Sequence, residues 1–124
     1  MQVKFRGKRF DGQGWVEGNL IIADSISCKD YYIRLQSWDD VHGYLTYPVI
    51  PESVGMFTGL TDKNGKEIYV AVGENGGDIL KTKHGGTFKV EYFDGFCGEI
   101  FLGWDSKELE IIGNAFDNHE LLEK

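Results

Sequence analysis

Cysteine, proline and long apolar runs are all scarce in this chain, and each scarcity excludes a class of protein. Two cysteines, Cys28 and Cys97, are too few for a disulfide framework and stand at no metal-ligand spacing. Buried or half-buried thiols in a reducing compartment are expected instead. With two prolines and no periodic glycine, the chain is neither collagen-like nor low-complexity. No stretch approaches about 18 consecutive apolar residues, and the opening Met1-Gln2-Val3-Lys4-Phe5-Arg6 has no apolar core of a secretory signal. A soluble, cytoplasmic protein with no membrane partner is expected. Positive charge is short as well: the net charge is -7. That balance disfavours general affinity for nucleic acid, because neutralising phosphates needs an excess of Lys and Arg.

Catalytic patterns are also missing. There is no Gly-x-Ser-x-Gly elbow, and Cys97 stands two residues from Glu99, which would raise a thiol pKa. The glycine-rich run Gly73-Glu74-Asn75-Gly76-Gly77-Asp78 has no following Lys-Ser/Thr, and its two acids would repel phosphate. Asp62-Lys63-Asn64-Gly65 opens like a calcium loop, but its glycine comes at the fourth position and strand residues follow. His42, His84 and His119 are scattered. No cofactor, metal or catalytic residue is expected. Only carboxylate pairs, Asp39 with Asp40 and Asp94 with Glu99, keep a hydrolase open as a third reading.

What the chain has is glycine and aromatics. Its 17 glycines in 124 residues are about double the usual share of roughly 7%. Spread among short aromatic and β-branched runs, they predict many tight turns and hence β structure. Strands are expected over residues 3–6, 15–23, 31–35 and 44–50, with Gly18 marking a bulge or a close backbone approach. A helical turn is expected at residues 51–55, opened by Pro51 and stopped by Gly55 in the left-handed conformation. Residues 56–60 and 67–72 then form a hairpin around Asp62, Asn64 and Gly65. Four further strands, at 78–83, 87–93, 99–104 and 109–113, are spaced like a small SH3-like barrel. Asp117 with Glu120 makes a capping box, and Phe116 with Leu121 a hydrophobic staple, for a short terminal helix from residue 118. The fold class is mainly β: one domain over 1–124, with sub-regions 1–72 and 73–124.

Two groups of residues remain as candidate binding sites. Lys4, Arg6, Lys8 and Arg9 give the first ten residues four cations and no acid, whereas residues 105–124 carry six acids against two lysines. In-chain pairing between the ends is one reading, and a cationic footprint for a partner is the other. Among the aromatics, most of which a sheet core absorbs, Trp38 in a polar loop and Tyr44 are expected to be exposed.

The central segment Val54-Gly55-Met56-Phe57-Thr58-Gly59-Leu60-Thr61-Asp62-Lys63-Asn64-Gly65-Lys66-Glu67-Ile68-Tyr69 resembles the hallmark segment of YopX-type proteins of bacteriophages and prophages. Trp15-Val16-Glu17-Gly18-Asn19-Leu20-Ile21, Gly77-Asp78-Ile79-Leu80 and Glu110-Ile111-Ile112-Gly113-Asn114 follow that family's layout in order. Residues 70–76 are an added excursion between hairpin and Gly-Asp strand. The resemblance implies a small β protein acting in a bacterial cytoplasm and carries over no catalytic residue. The expected function is a non-catalytic accessory protein that binds a host or phage protein. A nucleic-acid module using the basic amino-terminal residues and exposed aromatics is the alternative. Oligomeric state stays open.

Overall fold

A computed structural model describes residues 3–24, 26–36, 38, 40–41, 43–90 and 106–122, and these hold nine strands and three short 3-10 turns. The first six strands are β1 (Phe5–Lys8), β2 (Trp15–Asp24), β3 (Lys29–Arg34), β4 (Thr46–Val49), β5 (Gly55–Thr61) and β6 (Glu67–Ala71). They form one antiparallel sheet in the order β4-β3-β2-β1-β5-β6. The last three, β7 (Asp78–Lys81), β8 (Thr87–Lys89) and β9 (Glu110–Asn114), form a second sheet in the order β8-β7-β9. No helix among the described residues is long and apolar enough to cross a membrane.

Alternation within the strands builds two cores. Ile33 and Val49 are fully buried with Val54, and Phe5, Val16, Leu20 and Tyr31 pack against them on the inner side of β1 to β4. The other core lies between the sheets: Ile68 and Val70 of β6 meet Leu80 of β7, Val90 and Leu109, with Met56, Leu60, Phe88 and Ile111 around them. Each such buried aliphatic side chain contributes roughly 1.5–3 kcal/mol. The sheets divide between Ala71 and Asp78, yet they share this core.

Gly18 stands where β2 changes partner. Residues 15–18 pair with β1, and residues 19–24 pair with β3. A Cβ on Gly18 would lie 2.1 Å from the Arg34 carbonyl oxygen, so the glycine marks a close approach. Its pairing with Phe5 is unbroken, so there is no bulge at this point.

The central hairpin forms as its turn residues require. Asp62 sits at its head, its Oδ1 accepting the Asn64 and Lys66 amides at 2.9 Å each, and Gly65 takes φ +80°. The excursion at residues 72–76 folds back on the 3-10 turn Pro51–Ser53: Val72 and Gly73 N–H donate to Val54 O, and Asn75 N–H donates to Glu52 O. A Cβ on Gly76 would fall 1.7 Å from Val54 O, a backbone atom that cannot step aside. Gly76→Ala is therefore expected to destabilise the fold by about 3 kcal/mol, read by urea denaturation. A loss below about 1 kcal/mol would show that the excursion is not held there.

Four expectations are corrected. Among the described residues the carboxy-terminal strands make an open sheet, β8-β7-β9, not a closed SH3-like barrel, because β8 and β9 are its two edges and do not pair with each other; the strand expected at 99–104 and the second half of 87–93 lie outside the described residues. The terminal helix is a single 3-10 turn, His119–Leu122. Asp117 does not cap it: its carboxylate accepts from Trp15 Nε1, and its amide donates to Asn114 Oδ1. Phe116 turns edge-on to Trp15. Gly55 is not a left-handed stop, since Val54 leaves the turn extended and Gly55 begins β5. Cys28 is exposed, in the β2–β3 connection with Sγ 3.8 Å from the Asp30 carboxylate; Cys97 lies outside the described residues.

Candidate functional site

The four amino-terminal cations fall along β1 and just beyond it, and the fold engages all of them. Lys4 Nζ bonds Glu67 Oε1 at 2.7 Å and stands 3.7 Å from Glu17; its hydrogen bond to Glu67, opposed by partial burial, raises its pKa. Arg6 Nη2 lies 2.8 Å from Asp78 Oδ1 and donates to Gly76 O, while its guanidinium rests 4.5 Å from the Tyr69 ring and 5.1 Å from that of Trp15. Lys8 pairs with Asp117 at 3.3 Å, joining the two ends of the chain. Arg9 pairs with Asp11 and lies over Tyr47.

Around Arg6 a cleft of about 250 Å³ opens between Trp15, Glu17, Tyr69 and Asn114. Its polar groups are largely spent on one another. Tyr69 donates its hydroxyl to Glu17, and burial, with the Glu17 bond and charge, pushes the phenol pKa up. Trp15 and Asn114 both donate to Asp117. Burial alone would raise the Asp117 pKa, but the bonds from Trp15, Asn114 and Lys8 lower it. Only Arg6 Nε is buried there with no acceptor. The cleft is thus a latch between β1, β2 and the second sheet. A second depression, of about 450 Å³, lies among Lys63, Lys81, Thr82, Lys83, Glu108 and Glu110. Its exposed pairs Lys63–Glu110 and Lys83–Glu108 are 3.6 and 3.3 Å long, loose enough to be worth at most about 1 kcal/mol each.

The outward side of β2, β3 and β4 differs. Because Leu20, Ile33 and Val49 point to the core, the period of two sends their neighbours to solvent. Register sets Ile21, Tyr32 and Pro48 opposite one another in a row across three strands, with Asn19, Arg34 and Thr46 as the next row. Past Arg34 the chain loops out and returns, its base pinned by Leu35 N–H donating to Leu45 O. Gly43 takes φ +70°, and the Trp38 ring lies beside it. Trp38 then meets Tyr44 edge-on at 5.0 Å between ring centres, and Tyr44 lies under the Arg34 guanidinium at 4.4 Å. Trp38 is 63% and Tyr44 42% exposed. A depression of about 420 Å³ lined by Asn19, Arg34, Leu35, Gln36 and Tyr44 adjoins this stack.

Trp38 and Tyr44 are therefore exposed as expected, and they touch. The row behind them and Arg34 were not singled out by composition; the alternation in Tyr31-Tyr32-Ile33-Arg34 is the signal that places Tyr32 and Arg34 on one face. Of the carboxylate pairs, Asp39, Asp94 and Glu99 lie outside the described residues, as does His42. Among the described residues, no group of three His, Cys, Asp or Glu side chains is disposed to hold a metal ion.

A family model described as YopX protein matches residues 4–123. No curated protein and no solved structure matches the chain.

Proposed function

We infer function from one premise: the chain belongs to the YopX protein family. On that footing we propose a non-catalytic accessory protein of a bacteriophage or prophage, acting in the bacterial cytoplasm by binding another phage or host protein. The observation that carries the reading is the exposed, preformed stack Trp38–Tyr44–Arg34 beside the Ile21–Tyr32–Pro48 row. Trp, Tyr and Arg dominate binding energy at protein interfaces, and a stack already in place loses little conformational freedom on binding. The nucleic-acid alternative is weakened, because Lys4, Arg6, Lys8 and Arg9 each have a carboxylate partner within the chain. The same aromatics could stack bases, and titration with single- and double-stranded oligonucleotides at low salt separates the two: flat curves favour protein binding.

Trp38→Ala provides the test. Being 63% exposed, Trp38 should change folding stability by no more than about 0.5 kcal/mol on truncation while its loss weakens partner binding by about 2 kcal/mol or more. The chain and its variant are immobilised and exposed to extract of prophage-bearing cells. A reproducible partner held by the native chain and lost by Trp38→Ala is the expected result. Equal capture by both would remove the face from consideration.

A further inference from the structure

We propose that the depression at Arg34 is a carboxylate-binding subsite, which takes an Asp or Glu side chain or a terminal carboxylate of the protein that docks on the outward face. The proposal rests on the protein-binding reading and adds the chemistry of one contact.

The chain has three arginines. Two are committed to carboxylates, Arg6 to Asp78 and Arg9 to Asp11. Arg34, in contrast, has no acidic partner among the described residues, in a protein whose net charge is -7. Its guanidinium is not a loose surface charge either, for it lies over the Tyr44 ring at 4.4 Å, and Tyr44 is itself braced by Trp38. A contact of that kind restrains the guanidinium, whose forked N–H donors suit a planar, two-oxygen acceptor. A second donor stands on the neighbouring strand. Gln36 Nε2 donates to Asn19 Oδ1 at 3.2 Å and to Val3 O at 3.3 Å, which orients the Asn19 amide. The Asn19 Nδ2 group then has no acceptor among the described residues. Arg34 and Asn19 face each other in register, and both line the 420 Å³ depression.

The chemistry of the flanks selects the partner segment. On one side of the Arg34 row lie Ile21, Tyr32 and Pro48, and on the other Tyr44 and Trp38. An acid flanked by apolar residues would place its carboxylate on the fork and its neighbours on these two surfaces. A second copy of the chain also carries carboxylates, but the net charge of -7 on each copy disfavours self-association.

The test is a nitrogen-15 NMR titration of the full chain with the α-amides of N-acetylglutamate and N-acetylglutamine, and with inorganic phosphate. N-acetylglutamate α-amide is expected to shift the Arg34 Nε–H and the Asn19 side-chain amide saturably, and N-acetylglutamine α-amide, which has no carboxylate, to leave them in place. Arg34→Gln should weaken the interaction by about tenfold or more, and Arg34→Lys, which keeps charge without the fork, by less. Equal shifts from the two amino-acid probes, or an unchanged titration in Arg34→Gln, would overturn the proposal. So would phosphate binding about tenfold tighter than the carboxylate, which would mark a phosphate site. If Trp38→Ala abolishes partner capture while the carboxylate shifts nothing, the subsite is wrong and the docking face stands. Carboxylate binding with no effect of Trp38→Ala on capture gives the reverse.

Discussion

Asp78→Asn is expected to lose about 3–5 kcal/mol of folding stability. Asp78 is 2% exposed at the start of β7, where Oδ2 accepts the Tyr69 amide at 2.8 Å and Oδ1 meets Arg6 at 2.8 Å. It thereby ties the second sheet to both β6 and β1 of the first. An asparagine keeps an oxygen for Tyr69 but leaves the Arg6 charge largely desolvated between two rings with no counter-charge. Burying an unpaired charge is what makes such a change costly. The pair itself is no great source of stability: burial pushes the Asp78 carboxyl pKa up in spite of Arg6 and the Tyr69 amide. Arg6→Met combined with Asp78→Asn should therefore recover most of what Asp78→Asn loses, since Met keeps an unbranched stem between the rings. Equilibrium denaturation of the two single variants and the double variant decides it. A double variant as damaged as the sum of the singles would mean that the two residues act independently, and that an unpaired Arg6 charge is not what Asp78→Asn loses stability to.

How far the sequence foretold this arrangement follows from the range of each interaction. The central hairpin was legible because its determinants, Asp62, Asn64 and Gly65, lie within a few residues and act on their own backbone. Strand β2 was legible from its β-prone run, and Gly18 from its interruption of it. The terminal helix was misread for the opposite reason. Asp117 has the spacing of a cap, but Trp15 and Lys8, 102 and 109 residues away, draw its carboxylate off. Likewise the even spacing of short carboxy-terminal strands describes strands and turns, not which edges pair, and β7 took β9 as a second partner. For the candidate site, Trp38 and Tyr44 stood out as large aromatics in polar surroundings. Arg34 did not, because one charge in an extended run reads as a solvated side chain until the returning loop lays Tyr44 against it.

Asp62→Asn should cost about 3 kcal/mol near neutral pH and should also flatten the acid side of the stability profile. The carboxylate is 1% exposed and carries three backbone amides: Asn64 and Lys66 on Oδ1, and Ile111 of β9 on Oδ2 at 2.9 Å. It closes the hairpin turn and at the same time holds the hairpin to the second sheet, assisted by Lys63 N–H donating to Leu109 O. An asparagine must set its NH2 against one of those N–H groups, which leaves a buried donor unmatched. Burial by itself would raise the Asp62 pKa, but the Ile111, Lys66 and Asn64 amides, together with the Lys66 charge, hold it below the ordinary 3.8. A depressed folded-state pKa means stabilisation that is complete above the unfolded value and is lost as pH falls through the folded one. Asp117, also depressed, adds to the same acid limb. Asp78 works against them, since its raised pKa gives a contribution that is full below 3.8 and lost as pH rises through its folded value. The native chain should accordingly lose stability on acidification below the ordinary carboxylate range, and Asp62→Asn should lose less over the same interval. Urea midpoints measured stepwise from neutral pH down through that range provide the comparison. Parallel profiles for the two proteins would mean that the three amides do not hold Asp62 ionised, and that the join between hairpin and second sheet rests on the shared core of Ile68, Val70, Leu80, Val90 and Leu109.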